Sequence, residues 1–167
     1  MQLPDPEQLI HRLAEQVKVM VKPNTALVGM YTGGVWIAEK IHEYLGASLP
    51  IGTLDVSFYR DDFTHIGLHP DVKPTDIPFE VEGSDIILVD DVLYTGRSVR
   101  AAMQEIFDYG RPASIRLVVL IDRGGRELPI EPQLVGQVLP IEKTQNIQLE
   151  RSESGKLTLG LYSVQES

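Results

Sequence analysis

The chain has 167 residues, 43% of them apolar and 23% charged, and a formal net charge of −9 at pH 7. These are the proportions of an ordinary globular chain, long enough to bury a core as one domain over 1–167 without covalent staples. The absence of cysteine excludes disulfides, thiol nucleophiles and thiolate metal sites, and the acidic balance opposes nonspecific nucleic-acid binding while leaving room for a local basic patch.

The amino terminus, Met-Gln-Leu-Pro-Asp-Pro, lacks a basic region followed by an apolar stretch, and no apolar run reaches membrane-spanning length. A cytoplasmic protein with no membrane partner is therefore expected. Asp5 is placed to cap a first helix that Pro6 opens, and Leu9, Ile10, Leu13, Val17 and Met20 recur along one face. Pro23-Asn24 ends it. Ala26 to Met30 reads as a short buried strand, followed by Tyr31-Thr32-Gly33-Gly34 and a helix with Val35, Ile37, Ala38, Ile41 and Tyr44 as core positions. Strand, glycine loop and helix start, in that order, offer free backbone N–H groups to an anion. A flexible turn is the bland alternative for Gly33 and Gly34.

Pro50 to Tyr59 reads as a long strand. Arg60 to Pro78 is polar, rich in His, Pro and Asp and without a steady period, the profile of a functional loop or lid. His65 and His69 within it are possible metal ligands, with plain solvation the more ordinary reading.

Ile86 to Val89 is an unbroken aliphatic run, the pattern of a strand buried on both faces of a parallel sheet, and Asp90 and Asp91 follow it at once. Then come a loop with Thr95, Gly96 and Ser98 and a helix whose apolar positions are Val99, Ala102, Met103, Ile106 and Phe107, ended by Gly110. Ser114 to Ile121 is another buried strand with Asp122-Arg123 at its carboxyl end. Gly124 to Asn146 reads as irregular, with Pro129, Pro132 and Pro140, and Lys156 to Val164 as a final strand.

The stretch around Asp90-Asp91 suits one kind of ligand. Ligands of open α/β sheets lie outside the carboxyl ends of the strands. Carboxylates there accept hydrogen bonds from sugar hydroxyls or hold Mg²⁺, directly or through water. The turn behind them, with Thr95 and Ser98 as hydroxyl donors and Gly96 allowing close approach, is a cradle for a monophosphate. Ribose 5-phosphate carries both a diol and a phosphate. A receiver-domain acidic pair would sit at the end of a first strand, not past mid-chain. Helix capping by Thr95 or Ser98 alone leaves the acidic pair unexplained.

Val-Asp-Asp-Val-Leu-Tyr-Thr-Gly-Arg at 89–97 resembles the signature of type I phosphoribosyltransferases. Together with Leu-Val-Gly at 27–29, Phe-Tyr-Arg-Asp-Asp at 58–62, Tyr-Gly-Arg-Pro-Ala-Ser at 109–114 and Asp-Arg-Gly-Gly-Arg-Glu-Leu-Pro at 122–129, it resembles the PyrR family. Those proteins are bifunctional, regulating pyrimidine operons by binding messenger RNA and catalysing uracil phosphoribosyl transfer. The resemblance implies an α/β fold with a central, mainly parallel sheet flanked by helices and a small hood over the base, spanning about 124–149.

It also implies roles. Asp90 and Asp91 would bind the ribose hydroxyls of phosphoribosyl pyrophosphate (PRPP) and Mg²⁺, and Tyr94, Thr95, Gly96, Arg97 and Ser98 its 5-phosphate. Tyr31, Thr32, Gly33 and Gly34 would receive the pyrophosphate in a loop that often carries a non-proline cis peptide. Arg60, on a lid over about 60–78, would be the cation meeting the leaving group. Tyr94, Arg123, Asn146 and Ile147 would face the base. Tyr94 stands where purine-salvage relatives carry an acidic residue, which favours uracil. Expected partners are PRPP, uracil and uridine nucleotides, in a homo-oligomer, dimer or tetramer.

The chain departs from the pattern in places. Gly33 replaces a usual arginine, Gly125 a common histidine, and Glu15 and Val19 stand where polar or histidine RNA contacts are expected; Arg126 is retained. Two functions are compatible with this: an enzyme making uridine monophosphate from uracil and PRPP, or a mainly non-catalytic RNA-binding regulator responsive to uridine nucleotides.

Overall fold

The computed structural model describes residues 1–56 and 75–164. Their elements are α1 (Pro6–Met20), β1 (Thr25–Met30), α2 (Gly33–Tyr44), β2 (Ile51–Leu54), β3 (Asp85–Leu93), α3 (Arg97–Phe107), β4 (Ser114–Asp122), β5 (Leu134–Val138), β6 (Gln145–Arg151) and β7 (Leu157–Ser163). The first five strands form one parallel sheet in the order β2-β1-β3-β4-β5, and β6 pairs with β7 as an antiparallel hairpin.

The aliphatic runs make sense as strands covered on both faces, because successive side chains point to opposite sides. Ile87 and Val89 join α1, α2 and the β6-β7 hairpin in one core, while Ile86 and Leu88 join α3 in the other. Asp5 caps α1 as expected, its carboxylate accepting from the Glu7 N–H at 3.0 Å. The opposite end of the sheet is tied by a buried polar knot: Asp85 accepts from Thr25, Ser114 and Arg116, and Arg116 also donates to the Met20 carbonyl at 2.8 Å.

Several expectations need correction. The acidic pair does not come after its strand but lies within it, because the nine-residue β4 continues the ladder past Asp90 to Leu93. Gly33 and Gly34 are the first residues of α2 instead of a loop before it. The strand read over 50–59 ends at Leu54, and its last three residues fall outside those described. Residues 75–78 belong to the folded body, since Asp76 pairs with Thr53 through two backbone hydrogen bonds of 2.7 and 2.9 Å.

The segment 124–146 is not wholly irregular. It contains β5, whose Gly136 lies so close to the Leu120 carbonyl that a Cβ would overlap it, and Pro132 and Pro140 bracket the strand. In the hairpin that follows, Ile147, Leu149 and Leu157 are buried in the core with β1, β3 and β4 residues. Phe107 and Tyr44, read as core, stand 56% and 41% exposed at the ends of their helices.

Candidate active site

β1 and β3 run parallel in register, with Gly29 opposite Val89. The residues leaving β1 and those ending β3 therefore meet at one edge. Asp90 is buried and its Oδ1 accepts from the Asp91 N–H at 2.9 Å; Asp91 Oδ1 accepts from the Val92 N–H at 2.8 Å. Backbone donors thus hold both carboxylates in place.

The amino terminus of α2 presses on this pair. A Cβ on Gly34 would come within 3.0 Å of Asp90 Cα, and one on Gly33 within 2.8 Å of Asp91 Cγ while overlapping Oδ2. The two glycines, having no Cβ, make this close approach possible in the present chain. The Tyr31–Thr32 peptide is cis. Tyr31, Thr32, Gly33, Asp90 and Asp91 all line the same cavity, of about 650 Å³.

The turn after β3 is supported from behind. Gly96 caps α3 with φ +94°, a left-handed conformation that favours glycine, and a Cβ there would lie 3.0 Å from Ile130 Cγ1. Thr95 is buried; its Oγ1 accepts from the Arg97 N–H at 3.2 Å and its carbonyl from the N–H groups of Glu127 and Leu128. Tyr94 and Ser98 reach the cavity, whereas Thr95, Gly96 and Arg97 form the turn beside it. Arg97 points outward and pairs with Glu127 at 3.2 Å.

Arg123, Asn146 and Ile147 also line the cavity. Arg123 is 5% exposed, its guanidinium carbon is 3.9 Å from the Tyr94 ring centroid, and its Nη2 donates to the Glu142 carbonyl at 3.0 Å. Its Nε is the one buried side-chain nitrogen or oxygen among the described residues without a partner. Lys143, Gln145 and Gln148 also line the cavity and were missed from the sequence. For Lys143 a signal existed, since it is the only cation between Arg126 and Arg151.

Arg126 turns inward. Its Nη1 and Nη2 bind both oxygens of Asp122 at 2.9 and 2.7 Å, Nη1 also donates to the Tyr94 carbonyl at 3.0 Å, and Nε donates to the Ile130 carbonyl at 2.9 Å. Burial alone would raise the Asp122 pKa; hydrogen bonds from Arg126 and the Gly124 N–H, with the Arg126 charge, outweigh it and hold the carboxyl below its usual 3.8. Elsewhere, Glu15 pairs with His11 at 3.1 Å on the exposed face of α1, and Val19 is 87% exposed. Arg60, His65 and His69 lie outside the described residues.

Chemically, the edge offers two fixed carboxylates, the backbone N–H groups at two helix starts and a slot of mixed lining, Tyr94, Ile147 and Leu149 with Gln145 and Asn146, beside a guanidinium. No group of three or more His, Asp or Glu side chains able to cage a metal occurs among the described residues. Two carboxylates nonetheless fit Mg²⁺, which commonly takes one or two from protein and completes its shell with water and substrate phosphates. No helix of the described residues is long and apolar enough to cross a membrane.

The chain is similar to known proteins over most of its length. The model of the phosphoribosyl transferase domain matches residues 2–150. The chain is 50% identical to the bifunctional protein PyrR of Pseudomonas paraeruginosa, over 89% of this chain and 90% of that one. It is 48% identical to the bifunctional protein PyrR of Pseudomonas savastanoi pv. phaseolicola, over 95% and 96%. Among solved structures, a hypoxanthine phosphoribosyltransferase from Staphylococcus aureus matches with a TM-score of 0.64 at 22% identity, covering 86% of this chain and 76% of that one. A purine phosphoribosyltransferase from Pyrococcus horikoshii matches at 0.60 and 23%, covering 81% and 82%. At those identities the structures speak for the fold, and the closer sequence relatives decide the family: this chain is a phosphoribosyltransferase-fold protein belonging to the PyrR family.

Proposed function

We propose that the protein is a uracil phosphoribosyltransferase, converting uracil and PRPP to uridine monophosphate and pyrophosphate, and that it also senses pyrimidine nucleotides as a regulator. The observation that carries this reading is the single cavity shared by the acidic pair, the glycine start of α2, Tyr94 and the hood strand β6. A substrate with a diol, two phosphate-bearing ends and a leaving group beside a planar base spans those parts.

In this reading a ring nitrogen of uracil displaces pyrophosphate from C1 of the ribose, through a transition state with oxocarbenium character. Asp90 and Asp91 accept hydrogen bonds from the ribose hydroxyls and hold the sugar in line. The turn of Tyr94, Thr95, Gly96, Arg97 and Ser98 takes the 5-phosphate on the backbone amides at the start of α3. Tyr31, Thr32, Gly33 and Gly34 take the pyrophosphate at the start of α2, with Arg60 as the side-chain cation. Arg123, Asn146 and Ile147 face the base. The chain's part is positioning and preorganised charge; no covalent nucleophile is needed. Asp90 and Asp91 are the residues that would hold Mg²⁺, which when bound supplies charge neutralisation for the pyrophosphate oxygens.

A homo-oligomer, dimer or tetramer, working in the cytoplasm belongs to the same proposal. The test is to incubate the protein with PRPP, Mg²⁺ and each free base in turn while following pyrophosphate release. Release with uracil and not with hypoxanthine or guanine is expected.

One observation favours a second reading. Gly33 leaves the start of α2 without the side-chain cation usual in the family, and a protein so altered can serve mainly as a uridine-nucleotide-responsive RNA-binding regulator. Tight binding of uridine nucleotides without measurable pyrophosphate release would select it. Attenuator binding is itself proposed to be weakened, because Arg126 has its donors engaged inside the fold. Nanomolar, sequence-specific binding to a pyrimidine-operon leader would refute that.

A further inference from the structure

We infer that Gly125 is a positioning residue for the base. By having no side chain it lets the Tyr94 ring lie beneath the Arg123 guanidinium, and this stacked pair forms the wall against which a keto pyrimidine is held. The inference rests on uracil phosphoribosyl transfer as proposed above.

Tyr94 is held from three sides by one short segment. Arg126 Nη1 donates to its carbonyl at 3.0 Å. The Arg123 guanidinium covers its ring at 3.9 Å from the centroid, a distance at which the cation is attracted by the ring face. Gly125 supports the ring edge: a Cβ at 125 would stand 2.8 Å from Tyr94 Cδ1 and would overlap Cε1. With the backbone of this chain as it stands, a side chain at 125 therefore pushes the phenol ring out of its place, and that ring lines the cavity. Gly125 also has φ +82°, so alanine there meets both a clash and an unfavourable backbone conformation.

The second observation concerns what the wall asks of its ligand. Arg123 lines the cavity, is 5% exposed, and keeps a buried Nε with no acceptor among the described residues. A buried donor without a partner is costly, and a guanidinium has no capacity to accept. A keto oxygen is one acceptor that answers it; uracil carries keto oxygens at C2 and C4 and cytosine carries one at C2, so this donor is met by either base and the Tyr94–Arg123 wall acts on where the pyrimidine sits.

The test is steady-state kinetics with uracil and PRPP varied separately. Gly125→Ala is expected to raise the KM for uracil about tenfold or more while leaving that for PRPP within about twofold, the fold-changes for displacing one wall of a pocket. In a Tyr94→Leu background the same change is expected to add less than about twofold, because the ring that clashed is gone; this non-additivity separates a positioning role from backbone strain. Gly125→Asn, which tolerates positive φ better, serves if the alanine variant does not fold. Arg123→Met, which removes the cation over the Tyr94 ring, should likewise raise the KM for uracil. An unchanged uracil KM in a folded Gly125 variant, or an effect undiminished with Leu at 94, overturns the inference. If the unaltered protein turns over no uracil, the proposed activity fails by itself. A crystal structure of Gly125→Ala then decides the stack: a displaced Tyr94 ring supports it and an unmoved one overturns it.

Discussion

The Asp91 carboxylate occupies the space a side chain at Gly33 would need: an ideal Cβ there lies 2.8 Å from Asp91 Cγ. The start of α2 and the end of β3 are thus fitted to each other by the lack of one methyl group, and the two sites proposed for pyrophosphate and ribose are not independent.

Gly33→Ala should displace Asp91 and lower kcat/KM for PRPP by about 10²-fold, the scale expected for an ångström of misplacement in a catalytic constellation. The thermal midpoint should move little, because the methyl group meets a side chain at the cavity edge and not the core. Kinetics at varied PRPP, with a melting curve alongside, check both statements; a variant with full activity would show that Asp91 has room to move at no cost.

Asp91→Asn keeps the shape and removes the charge. About 10²-fold or more should be lost from kcat, the scale seen when one preorganised charge partner is removed, and calorimetric binding of PRPP should lose part of its dependence on Mg²⁺. Equal PRPP affinity of the two proteins at every Mg²⁺ concentration would place the metal elsewhere.

The Asp85 knot predicts a pH dependence of stability. Burial of Asp85 would raise its pKa, but hydrogen bonds from Ser114, Arg116 and Thr25, with the Arg116 charge, hold it below 3.8. A carboxyl whose pKa is lowered by folding contributes stability that is present above the unfolded value and lost as the pH falls through the folded one. Asp85→Asn should therefore cost about 3–5 kcal/mol at neutral pH, as for breaking a buried ion pair, and the gap from the unaltered protein should narrow below pH about 4. Urea unfolding of both proteins at pH 7 and pH 3 measures this.

Arg126→Ala leaves Asp122 buried without its cation. A loss of about 3–5 kcal/mol is expected, together with a raised KM for uracil, since Arg126 also holds the Tyr94 carbonyl. Chemical denaturation and uracil kinetics on the same preparation test it. A variant of unaltered stability would return Arg126 to the surface role its position in the sequence suggests.

Much of this architecture is local enough to read along the chain. The aliphatic runs at 26–30, 86–89 and 114–121, the Asp5 cap and the glycine before α3 are set by residue type and spacing, because strand alternation, capping and left-handed φ are short-range properties. The acidic pair and its hydroxyl turn were likewise legible as a motif. Tertiary structure decided what depends on a distant partner. β5 escaped notice because its five residues gain strand character only by pairing with β4. Asp90 and Asp91 are strand residues because β4 is long enough to continue the ladder beside them. Arg126 looks like a free surface cation in sequence and is an internal one only because Asp122, four residues earlier, ends a strand facing it. The sizes of residues 33 and 125 acquire meaning through Asp91 and Tyr94, 58 and 31 positions away in the chain, and no local rule relates residues so far apart.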